Sequence, residues 1–305
     1  MAEDVRGLVD AELARFLAER RSELEETGPL IDEISRLVAA GGKRLRPAFC
    51  YWGYRAAGAT HDDAIVQTAA ALELLHTFAI VHDDIMDHAD ERRGQPTTQA
   101  LLGIDVAILV GDLALVLADA AFMSSEFEPR VIASAFKVYS LMRQEVIGGQ
   151  YLDLKSAQQS PFDVAHARRI AVLKSGRYSV EKPLLIGATL GGASGELLEQ
   201  LRQFGSPLGE AFQLRDDLLG LFGTRSSLGK PVDSDIRQGK RHVLYAQTVA
   251  ALDGVEKEWF DGHWGGGEGL TNDEVDRLRA LVEISGARAA TEAMLDDLKS
   301  GSLQA

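Results

Sequence analysis

Asp83-Asp84-Ile85-Met86-Asp87 closes a long apolar run and is followed by Arg92-Arg93-Gly94. Asp83 and Asp87 are four residues apart, which on a helix places them on one face with about 5.5 Å between them. At an effective dielectric constant near 20, two such carboxylates repel by roughly 3 kcal/mol. A protein gains little by holding that repulsion beside its core unless a cation relieves it. Magnesium binds oxygen, commonly one or two carboxylates together with phosphate oxygens and water. A guanidinium pair next to the carboxylates suits the anion that such a metal carries. His82 and His88 flank the cluster, but imidazole suits magnesium poorly, so they read as polar neighbours.

A second acidic pair closes another apolar run, Phe212-Gln213-Leu214-Arg215-Asp216-Asp217-Leu218-Leu219. An Asp-Asp pair on a helix is common, and this one gains weight by repeating the arrangement of the first. Lys230, Asp235 and Lys240 follow in segment 223–241, which is predicted to be a functional loop. Lysines on a loop beside paired carboxylates can close over phosphates and exclude water. The plain alternatives are a solvated helix end for the first cluster and a surface loop of mixed charge for the second. Recurrence of the pattern, each time with basic residues near, favours metal and phosphate.

Elements must present these groups, and apolar positions recur at helical spacing almost everywhere. Val5, Leu8, Val9, Leu13, Phe16 and Leu17 mark one face of a first helix, which Gly28-Pro29 breaks. Ile31, Ile34, Leu37 and Val38 mark a second, ended by Gly41-Gly42. A third is predicted over about 47–57, and a fourth from Asp62-Asp63 to about His88, its acidic start suiting the positive end of the helix dipole. A polar loop is predicted over 89–97. Further helices are predicted at 104–124, 129–156, 163–175, 176–192, 196–222 and 242–257. A connector over 262–269 precedes a last helix, opened by Thr271 and Glu274 at capping-box spacing. Asp105 to Val110 could be a strand in isolation, but its flanks continue a helical pattern. No run of alternating strands, tandem repeat or interdomain linker is evident. The expectation is one all-α domain over 1–305, an orthogonal helical bundle around a central cavity.

The 305 residues are 46% hydrophobic, enough for a sizeable core, and the net charge of −14 argues against a nucleic-acid partner. Cys50 is the only cysteine, so neither an internal disulfide nor a cysteine-based zinc site is expected. Met1 to Asp4 lack the features of a signal peptide. No run of about 18 consecutive apolar residues occurs, so no transmembrane segment is expected. A cytoplasmic protein is the expectation.

Together these pieces resemble the trans-type polyprenyl diphosphate synthases, most of all those making geranylgeranyl diphosphate. The resemblance runs from about residue 41 to 242. It takes in Gly42-Lys43-Arg44-Leu45-Arg46-Pro47, His76, both acidic clusters, Arg92-Arg93-Gly94 and Gly149-Gln150-Tyr151-Leu152-Asp153. Lys174-Ser175-Gly176, Phe212-Gln213, Gly229-Lys230 and Lys240 complete it. It implies an isoprenoid-synthase-type fold and a magnesium-dependent prenyltransferase that joins isopentenyl diphosphate to an allylic diphosphate.

It also implies roles. Asp83 and Asp87 would hold two magnesium ions and Asp216 a third, with Asp84 and Asp217 completing the catalytic acidic motifs. Arg92, Lys174, Ser175, Lys230 and Lys240 would contact the allylic diphosphate, and Gln213 would line the reacting centre. Lys43, Arg46, His76 and Arg93 would hold isopentenyl diphosphate. A homodimer is implied. Three departures stand out: Gly220 where the second motif usually ends in aspartate, Ser175 where threonine is common, and Arg241-His242 for a more usual Lys-x-Thr.

The chemistry implied is departure of diphosphate from an allylic carbon, attack by the isopentenyl double bond on the cation, and loss of a proton. The growing chain would run down the apolar helix away from Asp83. Phe78 lies about 7.5 Å upstream at ~1.5 Å per residue, and Ala79 is small. Phe78 with Leu74 and Leu75 below it is expected to floor the tunnel, and an aromatic at 78 without one at 79 resembles C20 producers, with C15 and C25 products as the open alternatives. A class I terpene cyclase is disfavoured because its second motif pairs Asn or Asp with Ser or Thr and Glu, and Lys43, Arg46 and His76 would lack a purpose there. A non-catalytic partner subunit is disfavoured because both acidic motifs are kept.

Overall fold

Helical periodicity is realised along nearly the whole chain. The computed structural model describes residues 2–61, 63–92, 94–156, 161–223 and 233–305. In order come α1 (Ala2–Glu23), α2 (Gly28–Ala39), α3 (Leu45–Ala56), α4 (Asp63–Met86), α5 (Thr98–Leu102), α6 (Ile104–Met123) and α7 (Pro129–Ser156). They are followed by α8 (Val164–Ala171), a π-helix (Val172–Glu181), α9 (Lys182–Leu190) and α10 (Gly195–Phe222). The chain ends with α11 (Ser234–Arg237), α12 (Val243–Ala251), α13 (Gly254–His263), α14 (Asn272–Ile284) and α15 (Ala287–Gln304). Among the described residues the only sheet is a ladder of β1 (Glu91–Arg92) with β2 (Gln95–Pro96) inside the predicted polar loop, Arg92 opposite Gln95. The fold is all-α, as expected.

Two short helices were not expected, α5 and the α11 that falls inside the loop predicted over 223–241, and three further boundaries differ from the sequence reading for a backbone reason. The expected break between Ser175 and Gly176 is a π-helix instead; Gly176 marks a close approach of backbones, not an end. The helix expected over 242–257 divides at Leu252-Asp253, and Gly254 adopts φ +49°. The last helix is two, because Gly286 at φ +81° ends the first of them in the left-handed conformation that glycine adopts without steric cost. Thr271 and Glu274 form the predicted capping box, with Glu274 N–H donating to Thr271 Oγ1 and Thr271 N–H to Glu274 Oε2.

The chain forms two compact units, Met1–Ser140 with Lys182–Leu201, and Leu141–Glu181 with Arg202–Ala305. In the first, α4 packs along α6, α3 and α1, and α3 packs on α9. Val9, Leu13, Ile34, Ile65, Leu74, Leu75, Val110 and Phe122 are fully buried there. The α3–α9 contact is backbone against backbone, since a Cβ at Gly187 would overlap Cys50 O and one at Gly53 would overlap Leu184 O. Cys50 is fully buried, and burial pushes its thiol far above the usual range. In the second unit Leu214, Leu221, Ile236, Leu244, Phe260 and Leu278 belong to one apolar cluster.

Among the described residues two helices are long and apolar enough to cross a membrane by length and composition, which a count of consecutive apolar residues missed because each window contains an occasional charge. In α4, 72% of that window is buried inside the protein, so its apolarity serves the core. In α6 only 44% is buried, and Ile104, Ile108, Leu109, Val116 and Met123 are exposed.

Candidate active site

In the first unit, Asp87 N–H donates to Asp83 O at 2.8 Å, so helical geometry persists through Asp87 and the two carboxylates share a face as predicted. His88, at φ +51°, then ends the helix. Asp83 and Asp87 are half-buried, whereas Asp84 is only 4% exposed. Asp84 Oδ1 accepts from Arg92 Nε at 2.7 Å, and Arg92 Nη2 reaches Asp83 Oδ2 at 3.4 Å. Burial pushes the Asp84 carboxyl up; Arg92 opposes that shift, and Asp83 and Asp87 add to it.

The loop carrying Arg92 is tied back to the helix end. Gln99 Nε2 donates to Asp84 O and Ala89 O, and Thr97 Oγ1 donates to Ala89 O. All donors of the cluster are oxygens, which fits magnesium. Among the described residues no three His, Cys, Asp or Glu side chains are grouped so as to hold a metal ion by themselves.

His76, two turns before Asp83, lines a cleft of this unit together with Arg44, Glu73, Asp84 and Arg92. Arg44 was not singled out by the sequence reading. It is 4% exposed at φ +49°, and its guanidinium donates to Asp10 Oδ1, Glu73 Oε1 and Val38 O, each at 2.7 Å. These bonds fasten the start of α3 to α1 and α4. Of the neighbouring cations, Lys43 is exposed and Arg46 half-buried. Only distant acids, Asp10 and Glu73, reveal which basic residue of this run turns inward. Arg93 lies outside the described residues.

Phe78 is half-buried with its ring edge-on to His82, centroids 4.9 Å apart, and Ala79 is also half-buried. Leu74 and Leu75 are wholly enclosed. His82 packs on α6, where Gly111 has no Cβ to obstruct its ring, and Nε2 pairs with Ile108 O at 3.3 Å.

In the second unit, Lys174 and Ser175 sit on the π-helix, a geometry concentrated at functional positions. Two glycines bring neighbouring backbones against this stretch: a Cβ at Gly149 would overlap Lys174 N, and one at Gly209 would overlap Gly176 O. Lys174 Nζ donates to Asp153 Oδ2 at 2.6 Å. Asp153 stands four residues after Gly149 on α7, so one helix face supplies both the close approach and the partner; that spacing was visible in the sequence without its meaning.

On α10, Gln213 Nε2 donates to Asp217 Oδ1 at 2.7 Å. Asp217 is buried and Asp216 exposed, so Asp216 is the one of the pair presented outward. Lys240 is half-buried, and its carbonyl accepts from Trp264 Nε1 at 3.2 Å. At the third departure, His242 caps α12, Nδ1 accepting from Tyr245 N–H, and Arg241 donates to Ser156 O at 2.9 Å. Lys230 lies outside the described residues.

A family model described as Polyprenyl synthetase matches residues 29–280. Geranylfarnesyl diphosphate synthase of Aeropyrum pernix is 39% identical over 262 residues, 82% of this chain and 78% of that protein. The (2E,6E)-farnesyl diphosphate synthase of Mycobacterium tuberculosis is 36% identical over 252 residues, 81% of this chain and 68% of that protein. Among solved structures, geranylgeranyl pyrophosphate synthase from Corynebacterium glutamicum, complexed with isoprenyl diphosphate and magnesium, superposes with a TM-score of 0.94 at 29% identity, covering 100% of this chain and 92% of that one. The family match, the relatives' identity and the shared all-α architecture agree, and the chain belongs to the polyprenyl synthetase family of prenyltransferases.

Proposed function

We propose that this enzyme carries out magnesium-dependent head-to-tail (1'-4) condensation of isopentenyl diphosphate with an allylic diphosphate, giving an all-trans prenyl diphosphate of C20 length. The observation that carries the reading is the oxygen-only face of Asp83 and Asp87 at the end of α4, with Arg92 bonded beside it. Magnesium, with three ions expected on Asp83, Asp87 and Asp216, supplies charge to stabilise the departing diphosphate.

The chain's own residues do the rest. Arg92, Lys174, Ser175, Lys230 and Lys240 hold the allylic diphosphate, and Gln213 lines the reacting centre. Lys43, Arg46, His76 and Arg93 hold isopentenyl diphosphate, with Arg44 fixing the start of α3 beneath them. Asp84 and Asp217, both buried, complete the acidic motifs and orient them. Asp153 holds Lys174 in place before substrate arrives. Residues 1–305 act as one catalytic domain in the cytoplasm.

Relatives named for farnesyl, geranylgeranyl and geranylfarnesyl products lie at similar identity, so product length rests on local residues. Half-buried Phe78 above enclosed Leu74 and Leu75 supports a C20 floor. The exposed apolar face of α6 supports a homodimer, a second copy covering Ile108, Leu109 and Val116. Incubation with labelled isopentenyl diphosphate and C5, C10 or C15 starters, with and without chelator, tests the reading. Chelator-sensitive geranylgeraniol after dephosphorylation is expected; no condensation with any starter overturns it.

A further inference from the structure

The cleft of the first unit that holds His76, Arg44 and Arg92 is also lined by Arg36, a cation of α2 that belongs to none of the motifs above. The charges of this cleft are unequally committed. Glu73 accepts from Arg44 and Asp84 from Arg92, each at 2.7 Å. Arg44 is buried and also engaged by Asp10 and Val38 O, so its guanidinium fastens helices together. Arg36 differs, because its side chain is 33% exposed where it lines the cleft.

Arg36 is held from behind. Glu33, one turn earlier on α2 and 7% exposed, accepts from Arg36 Nε at 2.7 Å and from Nη2 at 2.6 Å. Glu33 Oε1 also accepts from the buried Thr98 hydroxyl at 2.7 Å, which ties the acid to α5. The acid is the fixed member of the pair, and the two-point contact sets the plane of the guanidinium. Nη2 also reaches Pro96 O at 3.5 Å, so Arg36 lies against the loop whose paired strand carries Arg92. An exposed ion pair adds little stability. A buried acid with its own hydroxyl donor, gripping a cation whose side chain stays open to a cleft, serves to place that cation.

We propose that Arg36 is a further diphosphate-binding residue: oriented by Glu33, it contacts the diphosphate of isopentenyl diphosphate from the α2 side of the cleft. A guanidinium already fixed in its plane binds phosphate oxygens with little further loss of side-chain freedom. Glu33 and Thr98 are then positioning residues. The inference rests on the function proposed above.

The test is steady-state condensation by the full chain, varying isopentenyl diphosphate at saturating starter and then the starter at saturating isopentenyl diphosphate. Arg36→Ala is expected to raise KM for isopentenyl diphosphate by about 10- to 100-fold, the range for a hydrogen bond to a charged group, with kcat and KM for the starter within about threefold of wild type. Arg36→Lys, which keeps the charge and loses the fork, is expected to fall between Arg36→Ala and wild type. Because Arg36→Ala leaves the buried Glu33 carboxylate without its cation, a double variant, Glu33→Gln with Arg36→Gln, removes both charges at once and is expected to show the same selective rise. A KM for isopentenyl diphosphate within about threefold of wild type in Arg36→Ala or the double variant overturns the inference. So do equal losses for both substrates, or a double variant that does not fold, since the pair is then structural; in each case wild-type turnover leaves the function intact. Wild type that condenses isopentenyl diphosphate with no starter overturns the functional reading and this inference with it.

Discussion

Arg92 Nε lies 2.7 Å from Oδ1 of Asp84, the buried member of the first acidic cluster. The pair keeps a carboxylate charged where burial favours its neutral form. Arg92→Ala is expected to cost about 1–3 kcal/mol at pH 7, less than a fully buried pair because Arg92 itself is partly exposed. The sign with pH follows from a carboxyl already pushed up. A folded-state value above the unfolded one contributes stability at low pH and loses it as pH rises. The deficit of the variant should therefore shrink as pH falls toward the carboxylate range, which urea denaturation at pH 7 and pH 4.5 would show.

Product length should follow the α4 face upstream of Asp83. Phe78→Ala is expected to shift product beyond C20, and Ala79→Phe to shorten it to C15. Chromatography of the dephosphorylated alcohols reads both. Unchanged distributions in the two variants would remove Phe78 from the role of floor.

A glycine-to-alanine change inside a helix normally stabilises by about 1 kcal/mol. At Gly187 the sign should reverse, because the added Cβ meets Cys50 O. Gly187→Ala is expected to destabilise by about 1–3 kcal/mol through overpacking, measurable as a lower denaturation midpoint.

Tyr245 donates its hydroxyl to Asp261 Oδ1 at 2.8 Å, and burial with that bond pushes the phenol up to about 12. Because the folded value exceeds the unfolded one, this contribution is fully present below pH 10 and lost as pH rises through about 12. Wild type should lose on the order of 1–3 kcal/mol across that interval, and Tyr245→Phe distinctly less, when denaturation is followed at pH 9 and pH 11.5.

What the sequence disclosed depended on whether the signal was local. Asp83 and Asp87 are four apart in sequence and share a face in space; Thr271 and Glu274 cap a helix at the spacing that announces it. Helix α7 was bounded correctly because its flanks carry their own breaks. What could not be seen depends on residues remote from one another. Arg44 turns inward because of Asp10 and Glu73, and Lys174 meets Asp153 across two helices. Glycine misled at 176, where it permits contact with Gly209, and it informed only where φ is positive, as at Gly286.

Cys50 is sealed between α3 and α9 and is the chain's sole thiol. Thiol-directed reagents should therefore leave the folded enzyme unmodified. A cysteine engineered at any exposed position becomes a unique handle, so a fluorophore or spin label can be attached at one chosen point without first stripping the natural protein of competing sulfur.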